Sequence, residues 1–343
     1  MLEAHGLQRR RLHRRRREAG AARSEDDVAV AKHVRRLAAR QVGSLEERPI
    51  NGLTGSQIAP LDLPCSTTHE LLVEGVSPIK AAAQLATDSI DVGSVKLLSP
   101  ITSPAKVLCQ GANYRQHMID SGMDPDAKKF NMFFTKSTAS ITHPNGNIIK
   151  PSHVELLDYE IELTLVMGKK TNGAVNITAE NLHEYVAGIC IGNDISARDV
   201  QIPQMQFHKG KSYRTFCPLG PVLCLLEASE MHYLYKLQLS LNVNGQVRQS
   251  DSTANLVFKP AESLTEFSQI HDFEPGDVIM TGTPTGCALG LPSPMLVKVT
   301  GLLPEAKKWQ LFVASQKRRT QYLKVGDLIQ SRIRSADGVI DLG

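Results

Sequence analysis

No run of this sequence approaches the roughly 18 consecutive apolar residues of a membrane-spanning helix, so no membrane partner is expected. The cysteines Cys65, Cys109, Cys190, Cys217, Cys224 and Cys287 form no Cys-x-x-Cys pair, which indicates neither a zinc site nor a disulfide framework. Several sit inside apolar runs, as small buried hydrophobes do, and a reducing compartment follows. No His-x-x-x-His pair offers a zinc site, and no Gly-x-Ser-x-Gly elbow offers a serine nucleophile. Gly210-Lys211-Ser212 could end a phosphate-binding loop, but Met205 stands where that loop needs glycine. No Gly-x-Gly-x-x-Gly follows a strand pattern, so a dinucleotide-binding fold is unsupported. Internal repeats are missing as well.

What is present is enough chain to bury a substantial core: 343 residues, 41% of them hydrophobic, room for one large domain or two. The net charge of +4 is unevenly placed, with +6 in residues 1–50 and −2 in the remainder. The near-neutral body gives no reason to expect nucleic acid. The basic charge gathers at Arg9, Arg10, Arg11 and Arg14 to Arg17, without the apolar core of a secretory signal. A solvated tail is the favoured reading and organelle targeting the other; binding of nucleic acid or a surface through the tail is a remote alternative.

Three regions follow: a basic tail over 1–50 with a helix near Asp26 to Gln41, a small N-terminal domain over 51–103, and a catalytic domain over 104–343. The middle region reads as helices over Ser66 to Gly75 and Pro78 to Ala86, then a strand over Val95 to Leu98. From Lys106 onward the pattern is short strands broken by Gly, Pro and Asn. These fall at Lys106–Gln110, Met132–Thr135, Glu160–Met167, Val186–Gly192, Pro221–Leu226, Leu237–Val243 and Asp277–Thr281. Asn244-Gly245 marks a hairpin, and Ser263 to His271 a helix. The fold class is α+β, mostly β, rather than βαβ repeats.

The chemistry concentrates in Asp158-Tyr159-Glu160-Ile161-Glu162-Leu163-Thr164-Leu165-Val166. In a strand, residues i and i+2 share a face, which sets Glu160 and Glu162 side by side, Cα atoms roughly 6.5–7 Å apart. Two like charges so close on a half-buried sheet repel and lose hydration, and a hard divalent cation would compensate. Asp194, at the end of the next apolar run, could complete the set and leave positions for water and substrate on Mg²⁺ or Mn²⁺. On spacing alone the pair also reads as solvated carboxylates on the polar face of a sheet.

The words around that pair resemble the fumarylacetoacetate hydrolase family. Lys106 to His117 resembles the opening of its catalytic domain. Phe133-Phe134-Thr135-Lys136, Asp158 to Glu162, Asn193 to Asp199, Gly210-Lys211-Ser212, Val243-Asn244-Gly245, Thr281 to Gly286 and Tyr322 to Asp327 follow in the family's order. The resemblance covers 104–343 and implies a mixed β-sandwich roll, usually a homodimer. It implies Glu160, Glu162 and Asp194 as ligands of Mg²⁺ or Mn²⁺, and His117 with Asp120 as the dyad that activates water. Many members carry Glu where this chain has Asp120, one methylene shorter. Lys211 would stabilise developing charge and contact substrate, and Gln201, Thr283 and Tyr114 would contact it too, with Lys136 a weaker candidate. Arg198 and Asp199 are expected to form an ion pair behind the metal site. The 35 residues between Gly286 and Tyr322 exceed the family's usual spacing. They read as a surface insertion, a cover for the site or an extension of the dimer contact.

The expected activity is metal-dependent hydrolysis of a C–C bond in a small acidic β-diketone, such as an acylpyruvate. The cation would polarise a carbonyl and stabilise an enolate. Decarboxylation of a 2-oxo acid such as oxaloacetate, hydration and isomerisation use the same site and are the alternatives. The expected location is cytoplasmic.

Overall fold

A computed structural model describes residues 57–290 and 303–343; the expected tail helix and the arginine run lie outside them. The strands are β1 (Gln57–Ile58), β2 (Ile90–Asp91), β3 (Val107–Gly111), β4 (Met132–Lys136), β5 (Ile141–Thr142), β6 (Leu157–Asp158), β7 (Ile161–Met167), β8 (Val186–Asn193), β9 (Ser196–Ala197), β10 (Cys217–Leu225), β11 (Gln238–Val243), β12 (Gln246–Ser252), β13 (Val278–Met280) and β14 (Ile329–Arg334). Seven form one sheet in the order β4-β3-β13-β7-β8-β10-β5, and three more form a second, β12-β11-β14. Within the large sheet β3 with β13 and β10 with β5 are parallel; the other neighbours are antiparallel. The architecture is the expected mixed, mostly β one.

Alternation along β7 explains how it serves two purposes. Ile161, Leu163, Leu165 and Met167 enter the main core with Leu239, Leu241, Val243 and Ile333 of the small sheet. Val166 faces the other way, into a second core with Val107, Cys109, Cys190, Val278 and Met280. Leu71, Leu72 and Ile79, from helices Thr68–Leu72 and Ser77–Leu85, close that second core. By the two-residue period Glu162 and Thr164 share the Val166 face, so Glu162 sits where that apolar face ends. All six cysteines are buried.

Two expectations change. Val95 to Leu98 is not a strand: β2 lies earlier, and the Asp91 carboxylate accepts from Gly93 N (2.6 Å), turning the chain into a short 3-10 segment at Val92–Ser94. The strand through Asp158 and Glu160 is interrupted, because the Glu160 amide donates to the Asn193 side chain (2.9 Å) instead of a strand partner, and β7 begins at Ile161. The Asn244-Gly245 hairpin is present between β11 and β12, with φ of 51° and 75° at the two turn residues.

Candidate active site

Glu160 precedes β7, Glu162 lies on it, and Asp194 follows β8, its antiparallel neighbour. The register brings one carboxylate oxygen from each within 4.8 Å of the others, and all three residues are buried. Asp194 N donates to Glu160 O (2.8 Å), tying the two segments together. Three buried cations surround the group. Lys136, from β4, donates to Asp194 Oδ1 (2.5 Å). Lys211, from helix Phe207–Lys211, donates to Glu160 Oε2 (2.6 Å) and to Asp194 Oδ2, and lies 5.1 Å from the centre of the Phe134 ring. Arg198, opening helix Arg198–Gln204, pairs with Glu160 Oε1 and donates to Asp158 Oδ2 (2.8 Å).

These contacts split the carboxylates electrostatically. Burial raises the Glu160 pKa, but Arg198 and Lys211 outweigh it and hold the group well below the usual range. Glu162 has no ion pair among the described residues. Burial, then Asp194 and Glu160, push its carboxyl well above the usual value, although Gly282 N donates to its Oε2 (2.7 Å). Burial disfavours the Lys211 ammonium, yet Asp194 and Glu160 raise its pKa overall. The donor set is all oxygen, clustered and anionic, and its least compensated member lacks a cation. That set could hold a hard divalent cation on Glu160, Glu162 and Asp194.

The dyad differs from expectation. His117 lies on the helix Arg115–Asp120, but Asp120 does not bond its ring: Asp120 Oδ1 accepts from Gln116 Nε2 (2.8 Å) and Oδ2 from Thr285 Oγ1 (2.5 Å). The shorter aspartate side chain instead ties the helix to the turn that follows Gly282. The His117 ring makes no hydrogen bond among the described residues, and burial lowers its pKa below the ordinary 6.5. Nor do Arg198 and Asp199 pair. Neighbouring helical positions diverge, so Arg198 turns to Asp158 and Glu160, while Asp199 Oδ2 accepts from Glu155 N (2.7 Å).

Gln201 is buried beside the site, its Oε1 accepting from Arg198 Nη1 (2.8 Å). Tyr114 is fully buried, and its hydroxyl has no hydrogen-bond partner among the described residues. The Thr283 hydroxyl is committed to the fold: it donates to Ile161 O (3.0 Å) and accepts from Gln249 Nε2 (2.8 Å). Sequence reasoning missed Asn193, which orients Glu160, and Gln249, whose Oε1 accepts from Ile161 N (2.9 Å). Asn193 had a signal, its place beside Asp194; Gln249 is 88 residues from Ile161 and had none. Cys287 adds a thiol 3.7 Å from Glu160 Oε1. No described helix is long and apolar enough to cross a membrane.

Comparison with known proteins agrees with this geometry. Residues 106–342 match the model of the fumarylacetoacetate hydrolase C-terminal domain. The chain is 39% identical over 219 residues to the oxaloacetate tautomerase YisK of Bacillus subtilis, covering 63% of this chain and 70% of that one. It is 34% identical over 238 residues to a mitochondrial oxaloacetate tautomerase of Bos taurus, covering 68% and 73%. Among solved structures, a fumarylacetoacetate hydrolase from Exiguobacterium antarcticum superposes with a TM-score of 0.60 at 28% identity, over 83% of this chain and 93% of the other. This chain belongs to the fumarylacetoacetate hydrolase family.

Proposed function

We propose that this protein interconverts the keto and enol forms of a small 2-oxo dicarboxylic acid, in the manner of an oxaloacetate tautomerase, rather than hydrolysing a C–C bond. The observation that carries the reading is the separation of His117 from Asp120. Hydrolysis needs a base that activates water, and the carboxylate expected to orient and charge-balance that base is engaged by Gln116 and Thr285. A half-buried, neutral imidazole suits the smaller task of moving one proton between carbon and oxygen. The named relatives favour the same chemistry, while the hydrolase neighbour shows that this fold hosts both.

Charge selects the substrate class. The buried carboxylates Asp158, Glu160, Glu162 and Asp194 face Lys136, Arg198 and Lys211, so a divalent cation leaves the ionised pocket net positive and suited to an acid. When bound, Mg²⁺ or Mn²⁺ would polarise the 2-oxo group and make the adjacent C–H more acidic. His117 takes that proton and returns it at oxygen. Lys211, fixed by Glu160 and Asp194, offsets the negative charge that develops. Gln201 and Tyr114 supply polar contacts to the substrate. Exposed Val325 and Leu328, beside a groove of about 1560 Å³, support a homodimer. The cytoplasm is the inferred location; the mitochondrial relative and the arginine run support an organelle address as the alternative.

The test follows the enol absorbance of freshly dissolved oxaloacetate with Mg²⁺ and then with chelator. Protein-accelerated, chelator-sensitive decay of the enol band without loss of total oxaloacetate supports the assignment. Inert oxaloacetate together with rapid cleavage of an acylpyruvate would restore hydrolysis as the activity.

A further inference from the structure

The long stretch between Gly286 and Tyr322 makes a specific set of contacts. Its helix Glu305–Gln316 ends on Gln316, which is 4% exposed. The Gln316 amide grips the backbone of one residue on both sides: Gly290 N donates to Oε1 (3.1 Å), and Nε2 donates to Gly290 O (2.7 Å). Tyr322 Oη donates to the same Oε1 (2.9 Å). One turn on, Arg319 Nε donates to Ala288 O (2.8 Å).

The gripped residues, 288–290, hold the metal site from behind. Ala288 N donates to Asp158 Oδ1 (2.7 Å) and Leu289 N to Asp158 Oδ2 (3.0 Å). Tyr159 N and Arg198 Nε supply the other donors to that fully buried carboxylate. Arg198 in turn binds Glu160 and Gln201. A buried carboxylate with four donors has one orientation, and loss of two of them frees it to turn.

We propose that the helix Glu305–Gln316 braces the metal centre, with Gln316 as a positioning residue that sets Glu160 through residues 288–290, Asp158 and Arg198. The proposal rests on the reading of Glu160, Glu162 and Asp194 as a cation site. Groups behind the ligands orient them, and their loss costs about 10–100-fold in metal affinity when they touch a ligand directly. Gln316 acts at greater remove, so a smaller effect is expected.

The experiment titrates Mn²⁺ into the full-length protein by calorimetry and records Tm for wild type, Gln316→Ala, Gln316→Glu and Val313→Ala. Val313 lies on the same helix and packs on the main core, so its variant reports simple destabilisation. Gln316→Ala is expected to raise the Mn²⁺ Kd roughly 3–10-fold. Gln316→Glu keeps the acceptor for Gly290 N and Tyr322 and should fall between the two. Val313→Ala should lower Tm with Kd unchanged. A Gln316→Ala Kd within about twofold of wild type, with Tm lowered as in Val313→Ala, would reduce the helix to a structural cover and overturn the brace. If Gln316→Ala does not fold, Gln316→Glu decides by the same twofold threshold. Wild-type protein that takes up no Mn²⁺ would overturn the cation site and the brace together, an outcome distinct from uptake that Gln316 does not affect.

Discussion

The two halves of the site are built differently. The carboxylate half is buried and locked: Glu160, Glu162 and Asp194 stand at the ends of paired strands, and Lys136, Arg198 and Lys211 fill the gaps between them. The proton-handling half is one short helix, Arg115–Asp120, held by Met118 against Val257 and Phe258 and by the solvent-facing bonds of Asp120 and Arg115. Charge placement in the first half is fixed before substrate arrives. This suits a reaction whose hard part is stabilising an anion and whose easy part is relocating a proton.

Breaking the locked half should cost most. Glu162→Gln removes the carboxylate without an ion pair, and chelator-sensitive turnover should vanish while circular dichroism keeps the wild-type signature. Lys211→Met should lower kcat by about 10²–10³-fold, the scale of losing one preorganised charge partner, with a smaller change in KM. The half around the helix Arg115–Asp120 should be more forgiving. His117→Ala should lower kcat/KM by about 10²-fold, the low end for a general base. Because burial depresses the His117 pKa, the acid limb of wild-type kcat/KM at saturating metal should fall below pH 6.5 and disappear in the variant. The sign for stability is the same: folded His117 resists the proton that the unfolded chain accepts near 6.5, so its contribution is present above that pH and is lost below it. Asp120→Asn should do least, a few-fold loss in kcat with an unchanged pH profile, since Asp120 holds the helix rather than the imidazole. A shifted acid limb in Asp120→Asn would restore the dyad and blur the contrast between the halves.

How much of this was legible in the sequence follows from how local each cause is. β7 and β8 are legible as apolar runs; the two-residue period set Glu160 beside Glu162, and Asp194 was a candidate as the residue that ends the next run. The break in the strand at Glu160 was not legible, because the Glu160 amide finds its acceptor on the Asn193 side chain, 33 residues on. The bonding of Asp120 was not legible, because the helical spacing to His117 is visible in the sequence and the hydroxyl of Thr285, 165 residues on, is not. Arg198 likewise sits next to Asp199 in sequence yet spends its charge on partners 38 and 40 residues back. Several cysteines were legible as small buried side chains from the apolar runs around them, because such burial is a local preference.

The ring of Lys136, Arg198 and Lys211 also separates building the protein from switching it on. Glu160 and Asp194 are already balanced by those cations, and Glu162, the one ligand acid left over, can hold a proton instead, so the chain does not require an ion to fold around the group. A metal-starved cell would then stockpile an intact, dormant enzyme, ready to resume work as soon as the ion returned, with no new synthesis.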